Sequence, residues 1–235
     1  MSILRKIVKN MLPYYFVKTY RNWKKTEMVT TLRMLHLDKE QKKFVFEYGY
    51  EYIRASAIEL IANEIYDKNI AGNVAEFGVY RGDFAKIINE AFPDKKLYLF
   101  DTFEGFDKRD TKTDLENNYS TADADFSETS VELVLSKMRY KNNCIVKKGF
   151  FPETTNEIHD TFSFVSIDSD LYEPVYKGLH YFYENLNKGG YIMLHDYNNK
   201  HYKGVKVALR KFSEEKNVAY FPLCDASGSA IIMKP

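Results

Sequence analysis

The sequence predicts an α/β fold: a mostly parallel sheet flanked by helices and preceded by a helical extension. Three observations predict it. From residue 73 onward, short apolar runs alternate with helical patterns, the order that a parallel sheet with crossover helices requires. The first of these runs leads into a turn with two glycines, Glu76-Phe77-Gly78-Val79-Tyr80-Arg81-Gly82-Asp83, and the next ends on an acid, Asp101. The chain closes on two apolar runs, 219–223 and 229–233, joined by a stretch too short for a crossover, so these two strands must pair antiparallel.

Taken in order, residues 1–70 read as a helical extension and residues 71–235 as the α/β domain. Asp38 is an N-cap for a helix over 39–66, with Phe44, Phe46, Ile53, Ala57, Leu60, Ile61 and Ile65 along its apolar face. Residues 1–25 hold Arg5, Lys6, Lys9, Lys18, Arg21, Lys24 and Lys25 with no acid before Glu27, interleaved with Ile3, Leu4, Ile7, Val8 and other apolar side chains. Such a segment suits peripheral contact with the anionic inner face of a membrane. It equally suits docking on the domain or on a second subunit in a homo-oligomer, since Pro13 interrupts any single long amphipathic helix. Five strands follow at 74–79, 97–100, 144–147, 162–167 and 191–194, with helices between them at 83–91, 130–139 and 171–185 and a further helix at 203–215. Residues 107–129 carry seven acids and little apolar content, and read as a mobile loop above the carboxyl edge of the sheet, either a lid or a solvated insertion.

Bulk properties narrow the class. With 235 residues, 45% hydrophobic and 16% aromatic, the chain can bury one substantial core, and a net charge of +1 gives no global electrostatic case for a nucleic-acid partner. No run approaches the roughly 18 apolar residues of a membrane span, and the N-terminus lacks a secretory h-region. Cys144 and Cys224, far apart and each at a strand, read as reduced, buried thiols of a cytoplasmic protein.

The chemistry concentrates at strand ends. Gly78 and Gly82 are spaced Gly-x-x-x-Gly, without the middle glycine that lets a pyrophosphate approach in dinucleotide folds, so S-adenosylmethionine fits better than NAD. Asp101, 23 residues after Gly78, is placed to accept hydrogen bonds from the ribose hydroxyls. Glu76 is a carboxylate inside an apolar strand, either meeting the methionine ammonium of the cofactor or paired with a nearby cation. Tyr80 belongs to the same turn. Thr102 and Phe103 follow Asp101, and the Phe103 ring covers a cofactor face or packs the lid. Gly149 and Phe150, at the turn after the third strand, fall near the adenine. The fourth strand delivers Asp168 and Asp170, and the fifth His195 and Asp196, to adjacent positions on one edge, where mixed oxygen and nitrogen ligands suit a divalent cation. The opposite reading leaves Asp170 as a helix cap and His195 as a neutral neighbour.

Four strings carry a resemblance: 74–82, Leu99-Phe100-Asp101-Thr102-Phe103-Glu104-Gly105-Phe106, Ile167-Asp168-Ser169-Asp170-Leu171-Tyr172-Glu173-Pro174, and Gly189 through Tyr197. Together they resemble the macrocin O-methyltransferase family. The resemblance implies a Rossmann-like class I methyltransferase fold, a seven-stranded sheet in the order 3-2-1-4-5-7-6, with S-adenosylmethionine as donor. It also implies a sugar hydroxyl as acceptor, in glycosylated natural products or in polysaccharide biosynthesis, and a magnesium ion. Asp168 and Asp196 match metal-ligating acids of the family. The third ligand falls at His195, where the family typically has another Asp, so manganese or another transition ion suits the site as well as magnesium, and Asp170 is an alternative ligand. Asp170 and His195 are the candidate bases for the acceptor hydroxyl, with His201 a more distant candidate; a catechol-like small-molecule acceptor keeps the same fold.

Overall fold

Five parallel strands, β1 (Asn73–Phe77), β2 (Leu97–Asp101), β3 (Cys144–Lys148), β4 (Phe162–Ile167) and β5 (Leu186–Leu194), are completed by β6 (Phe221–Pro222) and β7 (Ala230–Met233). The latter two pair antiparallel with each other, and β7 pairs antiparallel with β5. The resulting order, β3-β2-β1-β4-β5-β7-β6, is the one the family resemblance implies. The computed structural model describes residues 52–235; the basic stretch 1–25 and most of the helical extension lie outside the described residues. The helices are α1 (Tyr52–Asp67), α2 (Asp83–Ala91), α3 (Lys108–Asn117), α4 (Val131–Lys137), α5 (Tyr172–Glu184) and α6 (Lys203–Lys216).

The central strands β1 and β4 are buried on both faces, as a parallel sheet covered on two sides demands. Alternation along the strands sends Ala75, Phe77, Phe100, Val165 and Ile167 to one face, packed with Val175, Leu179 and Phe182 of α5 and Val205, Leu209 and Phe212 of α6. Phe77 stacks on Phe151 with ring centroids 4.3 Å apart, and a Cβ at Gly178 of α5 would lie 2.9 Å from the Phe77 ring, so the α5 backbone rests directly on that ring. The opposite set, including Val74, Glu76, Leu99 and Phe164, faces α1 and α2, where Phe92 stacks on Phe164 at 5.6 Å.

Some expectations need correction. In α1 the buried residues are Arg54, Ala55, Ile58, Ile61, Ala62 and Ile65, whereas Leu60 is exposed. Of the expected apolar face, Ile61 and Ile65 are buried, Ile53 and Ala57 are half-buried and Leu60 points out, while Arg54, Ala55, Ile58 and Ala62 complete the inward stripe. Strand β1 stops at Phe77 rather than at 79, since Gly78 leaves the strand with φ +89°. Cys144 is half-buried, with burial pushing its thiol up to about 11, but Cys224 is exposed, because β6 ends at Pro222 and leaves it in the turn beyond.

The stretch 107–129 is not all loop. Asp107 caps α3 by accepting from the Arg109 N–H at 2.9 Å, and Asn118 closes the helix in the left-handed region. Its buried positions, four residues apart, are Asp110 and Asp114, so no apolar periodicity announces it. Asp114 in turn caps α5, whose own N-cap residue, Leu171, has no side chain to offer: the Tyr172 N–H donates to Asp114 Oδ2 at 2.9 Å. Burial pushes both carboxyls up to about 6. Asp114→Ala is expected to cost about 1–2 kcal/mol by stripping that cap, read as a lower thermal midpoint together with faster amide exchange at Tyr172; unchanged exchange there would show that α5 does not depend on α3.

Candidate active site

The site is built where β1, β2, β4 and β5 end side by side. After β1 the chain turns through Gly78, whose added Cβ would fall 2.0 Å from the carbonyl oxygen of Asp168 at the end of β4. The glycine turn and the acidic cluster are thus in backbone contact, and the Asp168 N–H donating to the Phe77 carbonyl at 2.7 Å fastens them. Tyr80 has φ +48°, and Gly82, with φ +75°, opens α2 against Val134.

Asp101 holds this turn. Its Oδ2 accepts from the backbone N–H of Val79 at 2.7 Å and of Tyr80 at 2.9 Å, and its Oδ1 from that of Phe103 at 2.7 Å. The acid expected to bind a ribose is also the anchor for both flanking turns, a role that spacing alone did not reveal. Asp101→Asn replaces one acceptor by an NH2 facing an N–H, and is expected to weaken S-adenosylhomocysteine binding by roughly 10–100-fold with a lower thermal midpoint; binding within twofold of the native protein in calorimetry would refute this anchoring role.

The neighbouring candidates divide. The Thr102 hydroxyl is engaged in its own turn, donating to the Gly105 carbonyl at 2.6 Å, and Phe103 is only 4% exposed, with φ +55°. Gly149 (φ +136°) donates its N–H to the Asp101 carbonyl at 2.9 Å. Phe150 carries the Arg109 guanidinium 3.5 Å above its ring, and Arg109 is paired to both Asp107 and Glu153. The start of α3 is thereby fastened to the turn after β3. Further along the same segment, Phe126 packs edge-on against both Tyr80 and Phe106 at 5.1 Å, and Thr129 donates to the Tyr80 carbonyl.

Asp168, His195 and Asp196 converge: among the described residues they form one group whose ligand atoms all lie within 4.8 Å of one another. His195 Nδ1 lies 2.8 Å from Asp168 Oδ1 and 2.9 Å from Asp196 Oδ2, while Asn199 donates to Asp196 Oδ1 at 2.7 Å. Burial opposes charge on His195, but Asp168 and the hydrogen bonds to both acids outweigh it and raise its pKa to about 10. Burial likewise opposes ionisation of Asp168 and Asp196, yet His195 holds both below the usual carboxylate range, helped by Arg54 at Asp168 and by Asn199 at Asp196. Asp170, with φ +59°, is held far above that range by burial and by the Asp168 and Asp196 charges, and shares a hydrogen bond with Asp196. Glu76 is raised well above it too, by burial and then by Asp168; within the described residues its buried Oε2 has no hydrogen-bond partner. His201 is exposed, away from this buried cluster. Left-handed backbone at Tyr80, Phe103, Asp170 and Asp196 is strain of the kind that collects at functional sites.

Arg54 went unread in the sequence. Its Nη2 lies 3.3 Å from Asp168 Oδ2 and its guanidinium 3.6 Å over the Phe84 ring. The signal was a cation in register with Ile58, Ile61 and Ile65 on one helix face.

A glycine turn tied to an acid at the end of β2, on a sheet of this order, defines a Rossmann-like class I methyltransferase that uses S-adenosylmethionine. The family model described as Macrocin-O-methyltransferase (TylF) matches residues 8–232, and the chain belongs to that family; it is an S-adenosylmethionine-dependent O-methyltransferase. No curated protein matches it in sequence. Among solved structures it is similar to the calicheamicin methyltransferase CalS11, at 18% identity over 92% of this chain and 91% of that one with a TM-score of 0.65. It is also similar to the O-methyltransferase NovP, at 18% identity over 78% and 80% with a TM-score of 0.63. A third, TomG of Streptomyces achromogenes, solved in complex with SAM, shares 10% identity over 89% and 96% with a TM-score of 0.54. These likenesses are of fold. Among the described residues no helix is long and apolar enough to cross a membrane.

Proposed function

We propose that this enzyme methylates a hydroxyl of a sugar, free or carried on a glycan or natural product, with Asp168, His195 and Asp196 holding a divalent cation beside the acceptor. The observation that supports the reading is the contact between the Gly78 turn and Asp168, so that a donor bound at that turn would lie beside the acid–imidazole cluster. The donor set fits such an ion: two carboxylate oxygens flank an imidazole nitrogen at 2.8 and 2.9 Å, and the mixture favours manganese or another borderline ion at least as much as magnesium. When bound, the ion supplies a lowered pKa for the acceptor hydroxyl. Relatives in fold support the acceptor class, CalS11 being described as a TDP-rhamnose 3'-O-methyltransferase.

Transfer is an in-line displacement. The acceptor oxygen forms a bond to the methyl carbon, the carbon–sulfur bond breaks, and its electron pair stays on sulfur as S-adenosylhomocysteine forms. The hydroxyl proton leaves to a base, for which Asp170 stands next to Asp196 at the same edge. Glu76 supports the cofactor's ammonium, and Gly78, Tyr80, Gly82, Asp101, Thr102, Phe103, Gly149 and Phe150 form the bed of the nucleoside. The segment 107–129, fastened at Phe150 and Tyr80, acts as the lid that excludes water.

A second reading has its own support. His195 Nε2 is buried with no partner among the described residues, while Nδ1 is anchored between two carboxylates, the arrangement that readies an imidazole as a base through its far nitrogen. Purified enzyme is incubated with S-adenosylmethionine and a panel of nucleotide sugars, glycosides and catechols, with and without a chelator, and products are weighed for one added methylene. Methylated sugar lost on chelation and restored by manganese supports the ion. Turnover indifferent to chelation favours His195 as base, and methylation confined to catechols refutes the sugar.

A further inference from the structure

The connection from β5 to α6 starts at the acidic cluster and is fixed at both ends. At its start, Asn199 donates its side-chain N–H to Asp196 Oδ1 at 2.7 Å and its backbone N–H to the Asp196 carbonyl at 3.1 Å, while its own Oδ1 accepts from the His201 N–H at 2.9 Å. At its end, the Lys203 N–H donates to the Tyr119 carbonyl at 3.0 Å, just beyond α3. Gly204 follows, and a Cβ added there would lie 2.9 Å from Asp114 Oδ1, 2.9 Å from the Tyr172 Cβ and 3.2 Å from the Tyr119 Cβ. The first turn of α6 is thus wedged against α5 and the end of α3. Between these two anchorages stands Tyr202, the residue that precedes α6, half-buried and packed against the core. Its hydroxyl has no hydrogen-bond partner among the described residues. Burial, and then the charges of Asp170, Asp196, Asp123 and Asp168, hold the phenol protonated, above its ordinary range. Such a phenol is no base, but it is a hydroxyl that can both donate and accept.

We propose, resting on the sugar acceptor argued above, that Tyr202 binds a second hydroxyl of that sugar and so selects which hydroxyl the acidic cluster receives for methylation. A sugar carries hydroxyls on adjacent carbons, so a ring that offers one oxygen to the cluster brings another to the connection beside it. Those hydroxyls are chemically alike, and a cluster that meets one of them at a time has no means of choosing. A second fixed contact on the same ring supplies the choice, because a group built to pair with a substrate hydroxyl is left unpaired by an analogue that lacks it. Positional selection also requires the phenol to keep its place relative to Asp196. The Asn199 tie and the wedge at Gly204 provide that. Asp123, whose charge reaches the same phenol, belongs to the segment 107–129, so Tyr202 lies where that segment and the cluster both act.

The test uses the full chain, S-adenosylmethionine, and nucleotide-linked glucose, galactose and mannose, each with its set of monodeoxy analogues. The native enzyme is expected to prefer its sugar over one analogue, deoxygenated away from the methylated position, by roughly 10-fold in kcat/KM. Tyr202→Phe, which removes only the hydroxyl, is expected to lose the same factor on the complete sugar and nothing further on that analogue, and to spread methylation over more than one position. S-adenosylhomocysteine binding within about twofold of native marks the variant as folded; if it is lost, Tyr202→Met, which fills the space without a hydroxyl, takes its place with the same pattern expected. Equal losses on the sugar and all its analogues, or no loss on any, overturn the proposal and leave Tyr202 as a packing residue. A native enzyme that methylates none of the sugars overturns the acceptor reading itself, a result seen before any variant is made.

Discussion

Gly78→Ala is expected to abolish measurable cofactor binding and to lower stability by about 3 kcal/mol or more, a drop of roughly 6–12 °C in thermal midpoint for a chain of this size. Two penalties coincide. At φ +89° an alanine is strained whatever space surrounds it, and here its Cβ would sit 2.0 Å from the Asp168 carbonyl oxygen and 2.5 Å from the carbonyl carbon. Those are backbone atoms, and the Asp168 N–H is already bonded to Phe77 at 2.7 Å, so relief requires prising β1 from β4. Because Asp168 belongs to the acidic cluster, the same displacement that strains the fold also scatters the site. Gly82→Ala provides the comparison: its φ is also positive, at +75°, but the nearest atoms belong to the Val134 side chain, at 2.9 Å. Relief there needs only a small shift of α4, which carries Val134, and not the parting of two strands, so Gly82→Ala is expected to keep cofactor binding within about tenfold. Equal losses in the two variants, measured by melting and by S-adenosylhomocysteine calorimetry, would mean that positive φ alone, and not the contact with Asp168, governs this turn.

Gly78 and Asp101 were legible in the sequence because their meaning is local: a glycine turn after one strand and an acid at the end of the next need little else. The pairing of Asp168 with His195 and Asp196 was legible for a topological reason, since consecutive parallel strands end side by side. The sheet order itself came from family resemblance, not from pattern. What stayed hidden depends on contacts across long separations. Arg54 meets Asp168 across 114 residues, and nothing in the α1 sequence names the partner. Helix α3 stayed hidden because its inward positions are the carboxyls of Asp110 and Asp114, which hydrophobic periodicity reads as solvated; only the cap at Asp107 and the stop at Asn118 marked it. Asp101 shows a subtler gap: the sequence suggests a ribose-binding role, whereas its backbone role, three N–H groups received, left no sign there.

On the proposed function, Asp196→Asn is expected to cut turnover by about 10³-fold while leaving S-adenosylhomocysteine affinity within a few-fold, because that reading assigns Asp196 to the acceptor and the cofactor to the turns after β1 and β2. The same substitution makes a pH test of the site. His195 binds its proton more tightly in the folded chain, with a pKa of about 10 against its ordinary 6.5. That contribution to stability is complete below pH 6.5 and is lost as pH rises toward 10, so the native protein without added metal should lose thermal stability across this window. Removing one of the two carboxylates at Nδ1 lowers the proton's hold, and Asp196→Asn should flatten the slope. A divalent ion at the same nitrogen must compete with that proton, so manganese should raise the melting temperature more at pH 9 than at pH 7, and more in the native protein than in the variant. Manganese stabilisation that ignores both pH and Asp196 would place the ion elsewhere and leave the imidazolium as the sole cation between the two acids. Stability that is flat from pH 6.5 to 10 in the native protein would instead show that His195 is neutral there, which is the protonation state its role as a base through Nε2 requires.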